Sequence, residues 1–300
     1  MSTLPNFPVF APLDVTHRAV LDPLIAQRQP EVSELNFAEV FAWHGGRQTQ
    51  ITQVGDSVCM YMLRHGRRCF YPPFGGGDHP AVMRQLLTWL RDQGDDGFIY
   101  GLTGTEAEAA VAAGGLVAVE DPDNADYVYR ASDLIQLAGH KYDGKRNHIR
   151  NFIRNFEFAL TPIELAEVPE VQEFQRRWCE ARGCAHEPSL QAENRAVQEL
   201  LQHFGELDVH GATLRIDGQI QGYTLASRLN RDTALIIVEK ANPEFRGIYQ
   251  SINQMFADKM LGGYTWINRE QDAGDEGLRR AKLSYHPHHM VAKYKIKLAD

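Results

Sequence analysis

Residues able to do chemistry gather in the last third of the chain. The run Leu235-Ile236-Ile237-Val238-Glu239-Lys240 is apolar and then abruptly charged, so Glu239 falls at the end of a strand. A carboxylate partly withdrawn from water there has a raised pKa and suits a general base. The alternative is a solvated Glu239–Lys240 pair at a sheet edge. After the next apolar run come Asn268, Arg269, Glu270 and Asp272, ahead of Gly274 and Gly277. Arg269 offers a planar fork to a carboxylate or phosphate, with Glu270 or Asp272 orienting it or an amine nucleophile. The alternative is a charged loop in which Asp272 or Asp275 caps a helix. On that helix Leu278, Ala281 and Tyr285 recur at i, i+3 and i+7, a buried face, while Arg279 and Lys282 share another face that suits an anion.

A second constellation is basic. From His140 to Arg154, Lys141, Lys145, Arg146, Arg150 and Arg154 stand against Asp143, a net +4 in a chain whose formal charge is −8. Ile149, Phe152, Ile153 and Phe156 repeat at helical spacing, and Arg146, Arg150 and Arg154 form a stripe beside them. This predicts a docked helix presenting cations, Lys145 among them, to phosphate, of tRNA or of a small anion. A solvated stripe paired with acidic side chains is the alternative. No metal is expected: Cys179, Cys184 and His186 lack a fourth ligand and zinc spacing, and His286, His288 and His289 straddle a proline. Gly75-Gly76-Gly77 lacks the Gly-Lys-Ser/Thr of a phosphate loop.

The elements that must position these groups read as mixed α/β. Helices are expected over Asp14–Arg28, Ser33–Trp43, His79–Gln93 and Thr105–Ala113, with strands at Gln48–Val54, Ser57–Arg64, Arg68–Pro72, Gly97–Leu102, Leu116–Glu120 and Tyr127–Arg130. The second half repeats the order. Helices Pro169–Arg182 and Ser189–Leu207 precede strands Gly211–Ile216, Gln219–Leu229 and Thr233–Lys240, and Asp217-Gly218 signals a two-residue hairpin. Helix Gly247–Leu261, strand Tyr264–Asn268, helix Asp275–Ser284 and one last strand, Met290–Leu298, follow. The matching order predicts a duplication of about 130 to 150 residues, Asp14–Arg130 against Val168–Leu298.

Composition sets the class. Apolar residues are 43% and charged residues 23% of 300, which excludes disorder and fibrous repeats. The acidic balance excludes coating of nucleic acid by bulk charge but not a local basic patch. No apolar run approaches a membrane span, and Met1 to Leu13 has three prolines and no basic region, so a cytoplasmic protein is expected. Four cysteines are too few for a disulfide scaffold.

The element order of the second half resembles the Gcn5-related N-acetyltransferase (GNAT) fold. Several blocks go further: Ala125-Asp126-Tyr127-Val128-Tyr129, Leu137 to Tyr142, Lys145-Arg146-Asn147-His148-Ile149, Val238 to Asn242, and Ile267 to Gly274 with Leu278 to Pro287. Together they resemble the phosphatidylglycerol lysyltransferase C-terminal-domain family, in its stand-alone cytosolic branch, over most of the chain from about Leu35 onward. The resemblance implies an α+β fold of two tandem GNAT-like domains, each a mixed, mostly antiparallel sheet flanked by helices. Residues 1–139 would form the first, 140–160 a basic connecting helix, and 161–300 the second, carrying the site.

It also implies kinship with Fem-type aminoacyltransferases, and so transfer of an acyl or aminoacyl group to an amine or hydroxyl. Glu239, Glu270 and Tyr285 would do the chemistry, with Tyr285 protonating the leaving group. The donor would be acyl-CoA or aminoacyl-tRNA, with no required cofactor. Non-catalytic binding of a phosphorylated ligand or nucleic acid is the alternative. In acyl-CoA enzymes a glycine-rich turn opens the helix after the third strand. Here that stretch is Phe245-Arg246-Gly247-Ile248-Tyr249-Gln250-Ser251. Arg246 and Gly247 suit phosphate, but Tyr249 and Ser251 stand where small residues let backbone approach it, and weak or absent acetyl-CoA binding is expected.

Overall fold

The computed structural model describes residues 4–299. In the first half β1 (Ala11–Pro12), α1 (Arg18–Arg28), α2 (Phe37–Ala42) and α3 (His44–Arg47) precede β2 (Gln50–Val54), β3 (Ser57–Arg64), β4 (Arg67–Phe70) and β5 (Phe74–Gly75). Then come α4 (His79–Asp92), β6 (Phe98–Leu102), α5 (Gly104–Ala112), β7 (Leu116–Glu120), β8 (Asp126–Arg130), α6 (Ala131–Gln136) and α7 (Asp143–Asn155). The second half runs β9 (Phe158–Pro162), α8 (Val168–Ala181), α9 (Pro188–Gln202), β10 (Val209–Ile216), β11 (Gln219–Arg228), β12 (Thr233–Ala241) and α10 (Ile248–Met260). It closes with β13 (Trp266–Asn268), α11 (Glu276–Leu283), β14 (His289–Val291) and β15 (Tyr294–Leu298).

Local chemistry explains the sharper boundaries. Asp217 (φ 52°) and Gly218 (φ 75°) both adopt the left-handed region, the geometry of a two-residue hairpin that matches strand twist, and they set the register Ile216↔Gln219. His65 and Gly66 do the same between β3 and β4. Asp78 caps α4, accepting from the Ala81 amide at 3.0 Å. The α4 stripe Val82, Met83, Leu86, Leu87 and Leu90 is buried in the first core.

The chain divides into two compact units: residues 1–126, 271–274 and 290–300, and residues 127–270 and 275–289. The sheet of the first runs β1-β2-β3-β4-β6-β15-β7, with β5 on β3. That of the second runs β14-β8-β13-β12-β11-β10-β9. Among the described pairings each is mostly antiparallel, with β4 parallel to β6 in the first and β12 parallel to β13 in the second. The expected pair of tandem GNAT-like domains is therefore present.

The expected boundaries differ from these units. The position next to the parallel pair is filled in the first sheet by C-terminal β15 and in the second by β8. Asp14–Arg130 thus does not contain the whole first unit, and the second takes in 140–160. The single strand expected over Met290–Leu298 is two strands in two sheets, broken at Ala292-Lys293. Strand β9 and helix α6 had no clear sequence signal. Cys179 and Cys184 form a disulfide at the end of α8. Among the described residues no helix is long and apolar enough to cross a membrane.

Candidate functional site

The parallel contact between β12 and β13 lasts three residues, Thr233↔Trp266 to Leu235↔Asn268. Beyond it β12 continues to Ala241 while the other chain turns away, so the two carboxyl ends splay apart. The pairing of β11 with β12 shifts between Leu225↔Val238 and Ala226↔Ile236, leaving Ile237 as an extra residue outside the ladder. This bulge lies two residues before Glu239.

Glu239 and Arg269 meet across the splay. Arg269 Nη2 donates to Glu239 Oε1 at 3.3 Å, and Asn253 Nδ2, from α10, donates to Glu239 Oε2 at 2.8 Å. Asn253 is 1% exposed. Arg269 Nη1 and Asn253 Oδ1 are buried and have no hydrogen-bond partner among the described residues. Burial would lower the Arg269 pKa, but Glu239 and the nearby Tyr129 and Tyr285 outweigh it and hold the guanidinium charged. Unsatisfied buried donors are costly, so Nη1 is a ready contact for a carbonyl, carboxylate or phosphate oxygen.

Aromatic rings wall the cluster. The Arg269 guanidinium lies 5.0 Å from the Tyr285 ring centre and 5.8 Å from that of Tyr129. Burial pushes the Tyr285 phenol above its ordinary range, against the pull of Arg269. Tyr129 is shifted the same way by burial, and its hydroxyl donates to the Lys282 carbonyl at 2.8 Å. Lys145 Nζ lies 3.9 Å from the Tyr285 ring centre and donates to Ser284 Oγ at 2.6 Å. Burial first, and then Arg269, push its pKa down to about 8, with Glu239 opposing.

Of the residues expected in this site, Glu239, Arg269 and Tyr285 come together. The others have different surroundings. Lys282 is buried, and its ammonium donates to the carbonyls of Arg269 and Glu270, holding the loop shape. Asn268 Oδ1 accepts from the Glu270 amide at 2.7 Å, and Glu270 takes a left-handed φ of 57°. Asp272 belongs to the first unit, where its Oδ1 closes a turn onto the Gly274 amide at 2.9 Å. Arg279 is partly exposed on α11, and Asp275 caps that helix, accepting from Leu278 at 2.6 Å.

The basic helix also divides. Arg146 is committed to the carbonyls of Leu137 and Gly139 and to Asp143. Arg150 and Arg154 are exposed, each donating to an asparagine three residues back. Ile149 and Phe152 are buried, but Ile153 is exposed. Lys145 leaves the expected phosphate-binding group and joins the Glu239–Arg269 cluster. Its position is legible afterwards: 145, 149, 152 and 156 lie on one helical stripe, the apolar one. Asn253 was missed, although an asparagine beside Ile252 on a helix otherwise apolar toward the core is a signal of that kind.

The start of α10 explains the unusual residues there. Gly247 has φ 95°, and a Cβ on it would come within 2.5 Å of the His148 carbonyl oxygen, so α7 packs directly on it. Tyr249 donates to the Ala241 carbonyl and Ser251 to the Gly247 carbonyl, both at 2.9 Å. Arg246 is exposed.

Comparison with known proteins shows the family and the fold. The family model described as phosphatidylglycerol lysyltransferase, C-terminal, matches residues 25–297. An uncharacterized protein of Mycoplasmoides gallisepticum is 24% identical over 206 residues, 67% of this chain and 65% of that protein's length. A conserved protein of unknown function from Bacteroides thetaiotaomicron superposes with a TM-score of 0.89 at 29% identity, covering 99% of this chain and all of the other. L-PGS from Bacillus licheniformis shares the fold with a TM-score of 0.64 at 16% identity, covering 93% and 91% of the two chains.

Proposed function

The chain belongs to the family of the phosphatidylglycerol lysyltransferase C-terminal domain, and from that premise we propose that its second unit transfers an acyl group, from aminoacyl-tRNA, to an amine or hydroxyl acceptor. The observation that carries this reading is the Glu239–Arg269 pair at the strand splay, with Arg269 Nη1 buried and unpartnered. Arg269 takes the donor's carbonyl oxygen as negative charge develops, helped by backbone at the Ile237 bulge. Glu239, held by Asn253, keeps the guanidinium aimed and accepts from the acceptor's amine or hydroxyl hydrogen through its remaining lone pairs. Tyr285, whose phenol keeps its proton, hydrogen-bonds the leaving oxygen. No cofactor is needed, because an ester already carries the activation.

The choice of aminoacyl-tRNA over acyl-CoA rests on α10. Tyr249 turned back onto Ala241 and α7 packed on Gly247 take the room a pyrophosphate cradle needs. Arg150 and Arg154 are the cations of α7 proposed to meet tRNA phosphate. The test is to incubate the protein with single aminoacyl-tRNAs and an amine or hydroxyl acceptor mixture, following ester loss and product mass. Acceptor-dependent ester loss supports the reading. Ligand binding without ester loss from any donor would make the protein a non-catalytic binder of phosphorylated ligands or nucleic acid.

A further inference from the structure

We infer that Lys145 is the proton carrier of the transfer, taking the proton that the amine nucleophile must lose and returning it to the leaving oxygen. The inference rests on the transfer reading above. Glu239 is poorly placed for the task, because Oε1 accepts from Arg269 and Oε2 from Asn253, and removing either bond would loosen the cleft. Tyr285 holds its proton through the neutral range and is a donor only. Arg269 does not titrate.

Lys145 differs from all three. Its ammonium is half-buried, lies on the Tyr285 ring and among the described residues makes one hydrogen bond, to Ser284 Oγ. That oxygen donates its own proton to the Ala281 carbonyl at 2.6 Å, which fixes it as the acceptor from Lys145. Among the described residues no carboxylate pairs with the ammonium, which leaves two N–H bonds for substrate. The groups around it are Arg269 beyond β13, Glu239 on β12, and Tyr285 and Ser284 beyond α11. Arg269 favours the neutral amine and Glu239 the ammonium, and burial decides for the neutral side, which brings the pKa to about 8. A base poised there is matched to work near neutral pH.

The step balances without an oxidant or reductant. The Lys145 lone pair removes a proton from the acceptor nitrogen as the carbon–nitrogen bond forms at the donor carbonyl carbon. The ester carbon–oxygen bond breaks, and the Lys145 ammonium passes that proton to the departing oxygen.

Two measurements on the full chain test this. Trace labelling with acetic anhydride across pH, read by mass spectrometry, should show Lys145 half-reactive near pH 8. It should titrate higher in Arg269→Gln and lower in Glu239→Gln. Titration with ordinary lysines, near about 10.4, overturns the proposal. Lys145→Arg keeps the charge but cannot release the proton. It should reduce turnover at pH 7.5 by about 10²-fold or more with donor KM little changed, and abolish the rise in kcat around pH 8. Wild-type turnover and pH profile in Lys145→Arg overturns the role of Lys145 alone. Absence of turnover by the unsubstituted protein on every donor overturns the transfer reading, and this role with it.

Discussion

Replacing Lys293 by methionine should destabilise the first unit severely. Lys293 is fully buried just before β15, and its ammonium pairs with Glu34, with Asp126 Oδ1 at 2.6 Å and with Gln271 Oε1 at 3.0 Å. Burial alone would raise the Glu34 pKa, but Lys293 and Arg64 bring it from 4.5 down to about 2. That drop corresponds to about 3 kcal/mol at pH 7, fully present above about pH 4.5 and lost as pH falls through about 2. Asp126 moves the other way, raised by burial despite Lys293. Removing the shared cation leaves two buried carboxylates with only Arg64 beside Glu34 and hydrogen bonds from Ser33 to Asp126, and breaking such a buried pair costs about 3–5 kcal/mol. Urea unfolding at pH 7, with hydrogen exchange read on the segment 294–298, should show a loss in that range, shrinking as pH falls below about 4.5, where Glu34 is protonated in the unfolded chain. A loss under about 1 kcal/mol, or one independent of pH, would refute the reasoning.

Five further outcomes are expected. Glu39 is buried, and burial raises its pKa from 4.5 to about 7, so its contribution is present below about pH 4.5 and lost as pH rises through 7. Glu39→Gln should therefore gain about 1–3 kcal/mol over the unsubstituted protein in urea unfolding at pH 8 and nothing at pH 4. Glu239→Gln should leave the thermal transition within a few degrees yet reduce turnover by roughly 10²-fold or more, and Arg269→Lys should mainly raise KM because the planar fork is lost. Arg150→Gln with Arg154→Gln should lower the salt slope of tRNA binding by up to about two in a filter-binding series. Calorimetry with acetyl-CoA should show no binding at micromolar concentrations, because Tyr249 and Ser251 fill the turn that would cradle its phosphates.

Much of this arrangement was legible in the residues, for physical reasons. Asp217-Gly218 dictates a hairpin because few other pairs tolerate two left-handed residues in succession. Glu239 and Arg269 stood out because each ends an apolar run with charge, and a parallel pair that splays brings such ends to one place. The strand exchange was hidden, since alternation along Tyr294–Leu298 is the same whichever sheet receives it. Nothing near Lys293 in the sequence sets it apart, because its partners Glu34 and Asp126 are far away along the chain. Arg146 and Lys145 are neighbours of like charge, and only their helical phase separates a carbonyl clamp from a lysine in the cluster. Lys282 shared a helix face with Arg279 by spacing, but two loop carbonyls captured it.

The central claim is that the splay between β12 and β13 receives an aminoacyl ester. The most direct measurement is a crystal structure with a non-hydrolysable 3′-aminoacylamino-3′-deoxyadenosine. The account predicts the amide carbonyl oxygen within hydrogen-bond distance of Arg269 Nη1, with the Glu239 side left open for the acceptor. An analogue bound at another surface, with Arg269 Nη1 still unpartnered, would contradict it.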